Sequence, residues 1–169
     1  MNKSVLISIQ PKWCGLIAIG KKTVEVRKTR PKMDTPFKCY IYCTVNGITA
    51  QERDRNLYTD LRGKVIGEFV CDKVDAYVYD YCTHPEIGMD YDCGDSWWEI
   101  DNQDLERACM TYEQFKKYAM PNKDCMFGWH ISNLVIYDMP KKIGEFSGAR
   151  EPYLKRPPQN WCYVEELPR

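Results

Sequence analysis

Gly20-Lys21-Lys22-Thr23-Val24-Glu25-Val26-Arg27 alternates apolar and polar side chains with a period of two, the pattern of an extended strand. Thr23, Glu25 and Arg27 share one face, and Val24 and Val26 share the other. With the valines in a core, the glutamate and arginine face outward or into a cleft, and Lys22 joins them from the turn before the strand. Glu25, set between two cations, can accept from the guanidinium and fix its orientation. The remaining nitrogens are then left to address a phosphate, a carboxylate or a base edge. A structural salt bridge at the mouth of a sheet would use the same spacing, and both readings stand at this point.

Upstream, Val5 to Ile9 reads as a short strand. Pro11 sits where the first turn of a helix tolerates proline, and Gly20 sits where a helix ends, which predicts a helix over 11–19 with Trp13, Leu16 and Ile17 on its apolar stripe. Downstream, the proline-containing basic stretch 28–38 leads into a β-branched and aromatic strand over 39–45, and Gly63 to Cys71 is the next, with Gly67 marking a bulge or close packing. Alternation continues through 74–78. Thr111 and Gln114 form a capping-box spacing ahead of Tyr112, Phe115 and Tyr118, which predicts an amphipathic helix over 111–118. Phe127 to Tyr137 reads as one strand with Trp129, Ile131, Asn133, Val135 and Tyr137 on one face. A helical turn near 143–146 and a closing strand over 161–164 complete the chain. Many short strands, two short helices and no βαβ alternation indicate an α+β fold built on a small mixed barrel or sheet.

The 169 residues fit one domain, 1–169, elaborated by insertions at about 46–62 and 79–105, and a hydrophobic fraction of 44% supplies its core. No apolar run approaches the roughly 18 residues of a membrane span, and Val5 to Ile9 is too short for a signal-peptide core, so a cytoplasmic location is expected. Nine cysteines are odd in number, irregular in spacing and without a CxxC pair, so buried reduced thiols are expected, with no metal and no cofactor. Cys82, His84 and Cys93 could be assembled into a zinc set only on paper, and Asp90, Asp92 and Asp95 lack the spacing of a calcium loop.

The formal net charge of zero conceals a division along the chain. Residues 1–64 carry thirteen Lys/Arg against five Asp/Glu, residues 65–106 one against twelve, and residues 107–169 ten against seven. A basic surface for an anionic partner follows, with Lys12, Lys28, Arg30 and Lys32 beside Lys22 and Arg27. Trp13 and Trp129 offer aromatic faces, although most tryptophans are core residues. His130 offers a donor to a base edge, although a strand histidine is more often structural. The acidic segment 72–106 offers a surface for a protein partner. There is no GxSxG elbow, and no cysteine-histidine signature for nucleophilic catalysis.

The pattern Gly20-x-Lys22-x-x-Glu25-x-Arg27, preceded by Gln10-Pro-Lys-Trp13, resembles the ASCH family within the PUA-like superfamily, and looser likeness extends through Gly63–Cys71, Thr111–Tyr118 and Gly128–Leu134. The resemblance implies a mixed β-barrel with short flanking helices and a cleft lined by the motif, used for RNA or a modified nucleotide. Together with the basic loop and the aromatic and histidine candidates above, the expected binding set is Lys12, Trp13, Lys22, Glu25, Arg27, Lys28, Arg30, Trp129 and His130. Some compact relatives are amidohydrolases acting on acylated cytidine through a lysine, a threonine and a glutamate. Lys22 matches their lysine, but Glu25 stands where they have threonine, so a hydrolase would rest on Lys22 and Glu25 and a different mechanism. Binding is therefore the expectation and hydrolysis the alternative.

Overall fold

The computed structural model describes residues 3–47, 49–51, 60–80, 98–121, 125–148 and 151–168, with the backbone of 83–84, 89–90 and 97. The strands are β1 (Lys3–Ile9), β2 (Val24–Arg27), β3 (Phe37–Cys43), β4 (Lys64–Cys71), β5 (Val74–Asp80), β6 (Thr83–His84), β7 (Met89–Asp90), β8 (Trp97–Trp98), β9 (Cys125–His130), β10 (Ser132–Lys141) and β11 (Trp161–Glu165). The helices are α1 (Pro11–Ala18), α2 (Asn102–Arg107) and α3 (Tyr112–Ala119), with a short 3-10 turn at Ile143–Glu145.

One sheet runs β10-β4-β3-β1-β11, the other β2-β9-β5-β8, and β6 pairs with β7. β1 and β3 are parallel neighbours, and the other pairings are antiparallel. No closed barrel forms among the described residues, so the fold is mixed α+β with two open sheets. The first sheet is buried on both faces. Val5, Ile7, Ile9, Cys39 and Ile41 turn inward with α1 and Trp129, whereas Leu6, Tyr40, Tyr42 and Val65 turn to the opposite face under Phe146, Leu154 and Leu167. That double burial explains why β1 and β3 read as continuous apolar runs. The second sheet presents Val24, Val26, Tyr77 and Met126 to α2 and α3, packed with Leu105 and Phe115.

The sequence reading needs three corrections. The strand expected over 127–137 is two strands, because Asn133 takes a φ of 47° and the β10–β4 register shifts between Ser132 and Val135. The face assigned to Ile131, Asn133, Val135 and Tyr137 is lost with it. In α3 the buried pair is Phe115 and Ala119, an i,i+4 stripe that rotates Tyr118 out to 39% exposure. Helix α2 was not anticipated at all. Asp101 caps it by accepting from the Asp104 backbone N–H, and that signal was submerged in an acidic, turn-rich stretch. The Cys82, His84 and Cys93 grouping and the Asp90, Asp92 and Asp95 grouping lie outside the described side chains. Cys14, Cys39, Cys43 and Cys71 are buried free thiols, and burial pushes that of Cys71 up to about 12.

Gly67 marks close packing, as expected. A Cβ there would lie 2.3 Å from the backbone carbonyl of Val135, which has no rotamer by which to yield. Gly67→Ala should therefore destabilise the protein by about 1–3 kcal/mol in denaturant unfolding. A change within about 0.5 kcal/mol would show that β4 and β10 separate at little cost.

Candidate functional site

The inward-facing charges of β2 are not displayed to solvent. Lys22, Glu25 and Arg27 are 2%, 6% and 8% exposed, enclosed by α1, the first sheet and the end of α2. Lys22 Nζ donates to the carbonyls of Val24 and Ala108, both at 2.8 Å, and stands 3.3 Å from Glu25 Oε2. The other carboxylate oxygen, Oε1, lies 2.9 Å from Arg27 Nη2. Arg27 donates from Nη2 to the carbonyl of Ser8 at 2.6 Å and from Nη1 to Asn160 Oδ1 at 2.8 Å. The carboxylate is thus clamped from both sides, and the three charges sum to one net positive charge in the interior. The carbonyls and the Asn160 amide oxygen compensate that excess, and none of them carries a formal charge. The Arg27 Nε and Trp129 Nε1 donors remain buried without a partner, and Trp129 stands directly across from Glu25 in the β2–β9 register.

Two aromatic rings flank this triad. Trp13, half-buried on α1, has Lys22 Nζ 5.0 Å and Lys12 Nζ 4.9 Å from its ring centroid. Tyr118 on α3 has Lys28 Nζ 5.4 Å from its centroid, and Lys28 also donates to the carbonyl of Met120 at 3.3 Å. Burial raises the Tyr118 hydroxyl pKa, Arg27 lowers it and Glu25 raises it, so the ring lies within the field of the triad. Tyr118 was absent from the expected binding set, because its offset-three spacing assigned it to the core stripe.

The expected residues therefore divide. Lys12, Trp13, Lys22, Glu25, Arg27 and Lys28 converge. Trp129 is wholly buried between the sheets beneath them. Arg30 is exposed on the loop after β2. His130 turns to the opposite face of the second sheet, into a separate network. Its Nε2 lies 2.6 Å from Asp75 Oδ2 and its Nδ1 3.0 Å from Arg107 Nη2. A guanidinium can only donate, so Nδ1 is the acceptor and the ring proton sits on Nε2, directed at Asp75. Tyr77 donates to Asp104 at 2.9 Å, and burial followed by that carboxylate raises its phenol pKa strongly. Asp75, Asp104 and His130 bring ligand-type atoms within 4.8 Å of one another. The tautomer leaves no ring lone pair to a cation, and Arg107 and Lys73 already balance the two carboxylates. The arrangement is held together here as an ion-pair network. A cavity of about 580 Å³ lined by Lys73, Asp75, Tyr77, Trp98, Asp101 and Asp104 opens beside it, on the far side of the sheet from the triad.

The two regions meet through the end of α2. The Arg107 carbonyl accepts from the Thr23 backbone N–H at 2.8 Å, and Arg107 Nε donates to the Thr23 hydroxyl at 3.3 Å. Ala108 holds Lys22, and Cys109, left-handed at a φ of 55°, places its thiol 3.6 Å from the Lys21 carbonyl. A non-glycine residue in that conformation costs on the order of 1–2 kcal/mol, so the clamp on residues 21–23 is bought with strain.

No family model matches the chain, and no curated protein matches it. Solved structures of an ASCH protein from Zymomonas mobilis do. A serine-to-alanine mutant aligns with a TM-score of 0.59 at 17% identity over 96% of this chain and 89% of that one. A tyrosine-to-phenylalanine mutant gives 0.54 at 16% over 98% and 92%, and the unmutated protein 0.52 at 16% over 96% and 88%. The chain has an ASCH-like fold, in keeping with the resemblance carried by residues 20–27.

Removing one member of the triad strands the others. Glu25→Gln should cost about 3–5 kcal/mol in chemical denaturation, since two buried cations lose the carboxylate held between them. A loss below 1 kcal/mol would mean that water reaches them freely. Asp75 supplies a pH test. Burial pushes its carboxyl up, but hydrogen bonds from Lys73 and His130 outweigh this and hold it below the ordinary value. Its stabilisation is fully present above the unfolded carboxylate pKa of roughly 4 and is lost as pH falls through the depressed folded value. Asp75→Asn should flatten the acid limb of a Tm-against-pH curve below about pH 4, and an unchanged limb would contradict the assignment.

Proposed function

We propose that the chain is a nucleic-acid-binding module that takes a base of single-stranded RNA, or a free nucleotide, against Trp13 and Tyr118 above the Lys22–Glu25–Arg27 triad. One observation carries the reading. Two incompletely buried aromatic rings on different helices flank a buried group of net positive charge, and each ring has a lysine ammonium at cation–π distance. Stacking on an aromatic face is indifferent to base identity, and lysines at the ring edges suit the phosphates on either side. The triad adds a fixed positive potential that burial keeps from being screened. The ASCH-like fold supports this reading as one associated with RNA and nucleotide ligands.

Hydrolysis of an acylated nucleoside fits the geometry less well. Among the described residues no serine or threonine hydroxyl hydrogen-bonds to Lys22 or Glu25. Each carboxylate oxygen is engaged by a cation, so the carboxylate is held in place by both neighbours. General base chemistry asks instead for a group free to take a proton.

Binding to a fluorescein-labelled single-stranded RNA, measured by anisotropy, tests the reading. Affinity should fall steeply with salt, and Tyr118→Ala should weaken it by about five-fold to a hundred-fold, the worth of one stacked base. Tyr118 is partly exposed, so its removal should leave Tm close to that of the parent. Salt-independent binding, or unchanged affinity in both Tyr118→Ala and Trp13→Ala, would overturn the proposal.

A further inference from the structure

The loop that follows β2 runs across the face of the molecule in a sequence of basic and aromatic contacts. Lys28 begins it at Tyr118. Thr29, exposed, accepts at its hydroxyl from Asn160 Nδ2 at 3.1 Å and from the Trp161 indole N–H at 3.0 Å. Pro31 is buried beneath, and the Lys32 backbone N–H donates to the Tyr163 hydroxyl at 2.8 Å. Lys3, from the start of β1, then places its ammonium 3.5 Å from the Tyr163 ring centroid. Trp161 and Tyr163 lie on one face of β11 with ring centroids 5.3 Å apart, both half-buried. The order along the surface is thus Tyr118 with Lys28, then Trp161 under Thr29, then Tyr163 between Lys32 and Lys3. Glu165, exposed and paired in register with Lys3, ends it with a negative charge.

We infer that this line, from Tyr118 across the 28–32 loop to Tyr163, is a track for the sugar-phosphate backbone of a single strand, extending the base site at Trp13 and Tyr118 by several nucleotides. The inference rests on the nucleic-acid reading of that base site. Three features separate a track from scattered surface lysines. The cations stand beside half-buried aromatic rings that are held rigidly against the core, with Lys3 set over the face of Tyr163. The loop presenting them is fixed at Thr29 and Lys32 by hydrogen bonds with the side chains of Asn160, Trp161 and Tyr163, so little order has to be acquired on binding. And the anchor at Asn160 is the residue that orients Arg27, so track and triad are held by one side chain. Glu165 gives the track a definite end and makes its far cations, Lys3 and Lys32, separable from the base site.

The test compares a dinucleotide with a ten-nucleotide single strand on the intact protein and on the double variant Lys3→Gln, Lys32→Gln. The dinucleotide should bind both proteins alike, because it reaches only the base site. The longer strand should bind the parent more tightly than the dinucleotide does, and the double variant should lose that gain. Its slope of log affinity on log salt should be shallower by about 1.4, since each phosphate contact to a single strand contributes about 0.7. Lys3→Arg with Lys32→Arg should restore the parent slope. Equal affinity of the parent for the two ligands, or an unchanged slope in the double variant, would overturn the track while leaving the base site standing. Failure of both ligands to bind the parent would overturn the base site and the track together.

Discussion

The burial of Lys22, Glu25 and Arg27 between the two sheets is the constraint around which the rest of the molecule is arranged. Taking three ions out of water costs several kcal/mol each unless every donor and acceptor is met. Here the partners come from distant parts of the chain: the Ser8 carbonyl from β1, the Ala108 carbonyl from the end of α2, and the Asn160 amide from the approach to β11. Sequence separations of 86 and 133 residues meet at one point. The triad therefore ties together elements that an apolar core alone would leave free to slide. It also brings a net positive charge close beneath the surface where Trp13 and Tyr118 emerge.

A second network backs the first. His130, locked between Asp75 and Arg107, couples β9 and β5 to α2, and Arg107 at the end of α2 with Ala108 and Cys109 just after it grip Thr23, Lys22 and Lys21 in turn. The strain at Cys109 is where this grip is made. A residue with φ > 0 and no glycine persists because the hydrogen bonds around it over-determine its position. The motif and the histidine, which as sequence features suggest one binding set, instead lie on opposite faces of one sheet. The connection between them is mechanical.

Much of this was legible in residues 20–27, because a period of two in a short strand fixes which side chains share a face. The helix boundaries at Pro11, Gly20 and Thr111 were equally plain, since capping chemistry is local. What the sequence could not show was depth. Alternation says that Glu25 and Arg27 lie opposite the valines, but whether that side meets water or a second sheet depends on β1, α1 and β11, which are remote in the chain. For the same reason Asp75, Arg107 and Asn160 were unmarked. Each acts through a partner tens of residues away, and no spacing rule relates them. Tyr118 was misread because offsets of three and four along α3 compete for the core, and Ala119 won by fitting closely under the sheet. The 3.6-residue period then left the tyrosine at the boundary.

The charge division along the chain acquires a spatial meaning from this topology. The basic first third supplies β1, α1, β2 and the 28–32 loop, all grouped around the triad and β11. The acidic middle third supplies β5, β8 and α2, whose Asp75, Asp101 and Asp104 line the cavity on the far side of the second sheet. A chain with no net charge thus groups cations around the triad and β11, and sets carboxylates, in part balanced by Lys73 and Arg107, on the other side of the second sheet. For the anionic strand proposed above, that asymmetry would orient the encounter before any contact forms. Because the formal charges cancel overall, that orientation comes from placement alone, and it weakens within a Debye length of roughly 8–10 Å at physiological salt. Beyond that distance the protein is electrically neutral, and within it the triad, Lys12, Lys28, Lys32 and Lys3 decide which face is met.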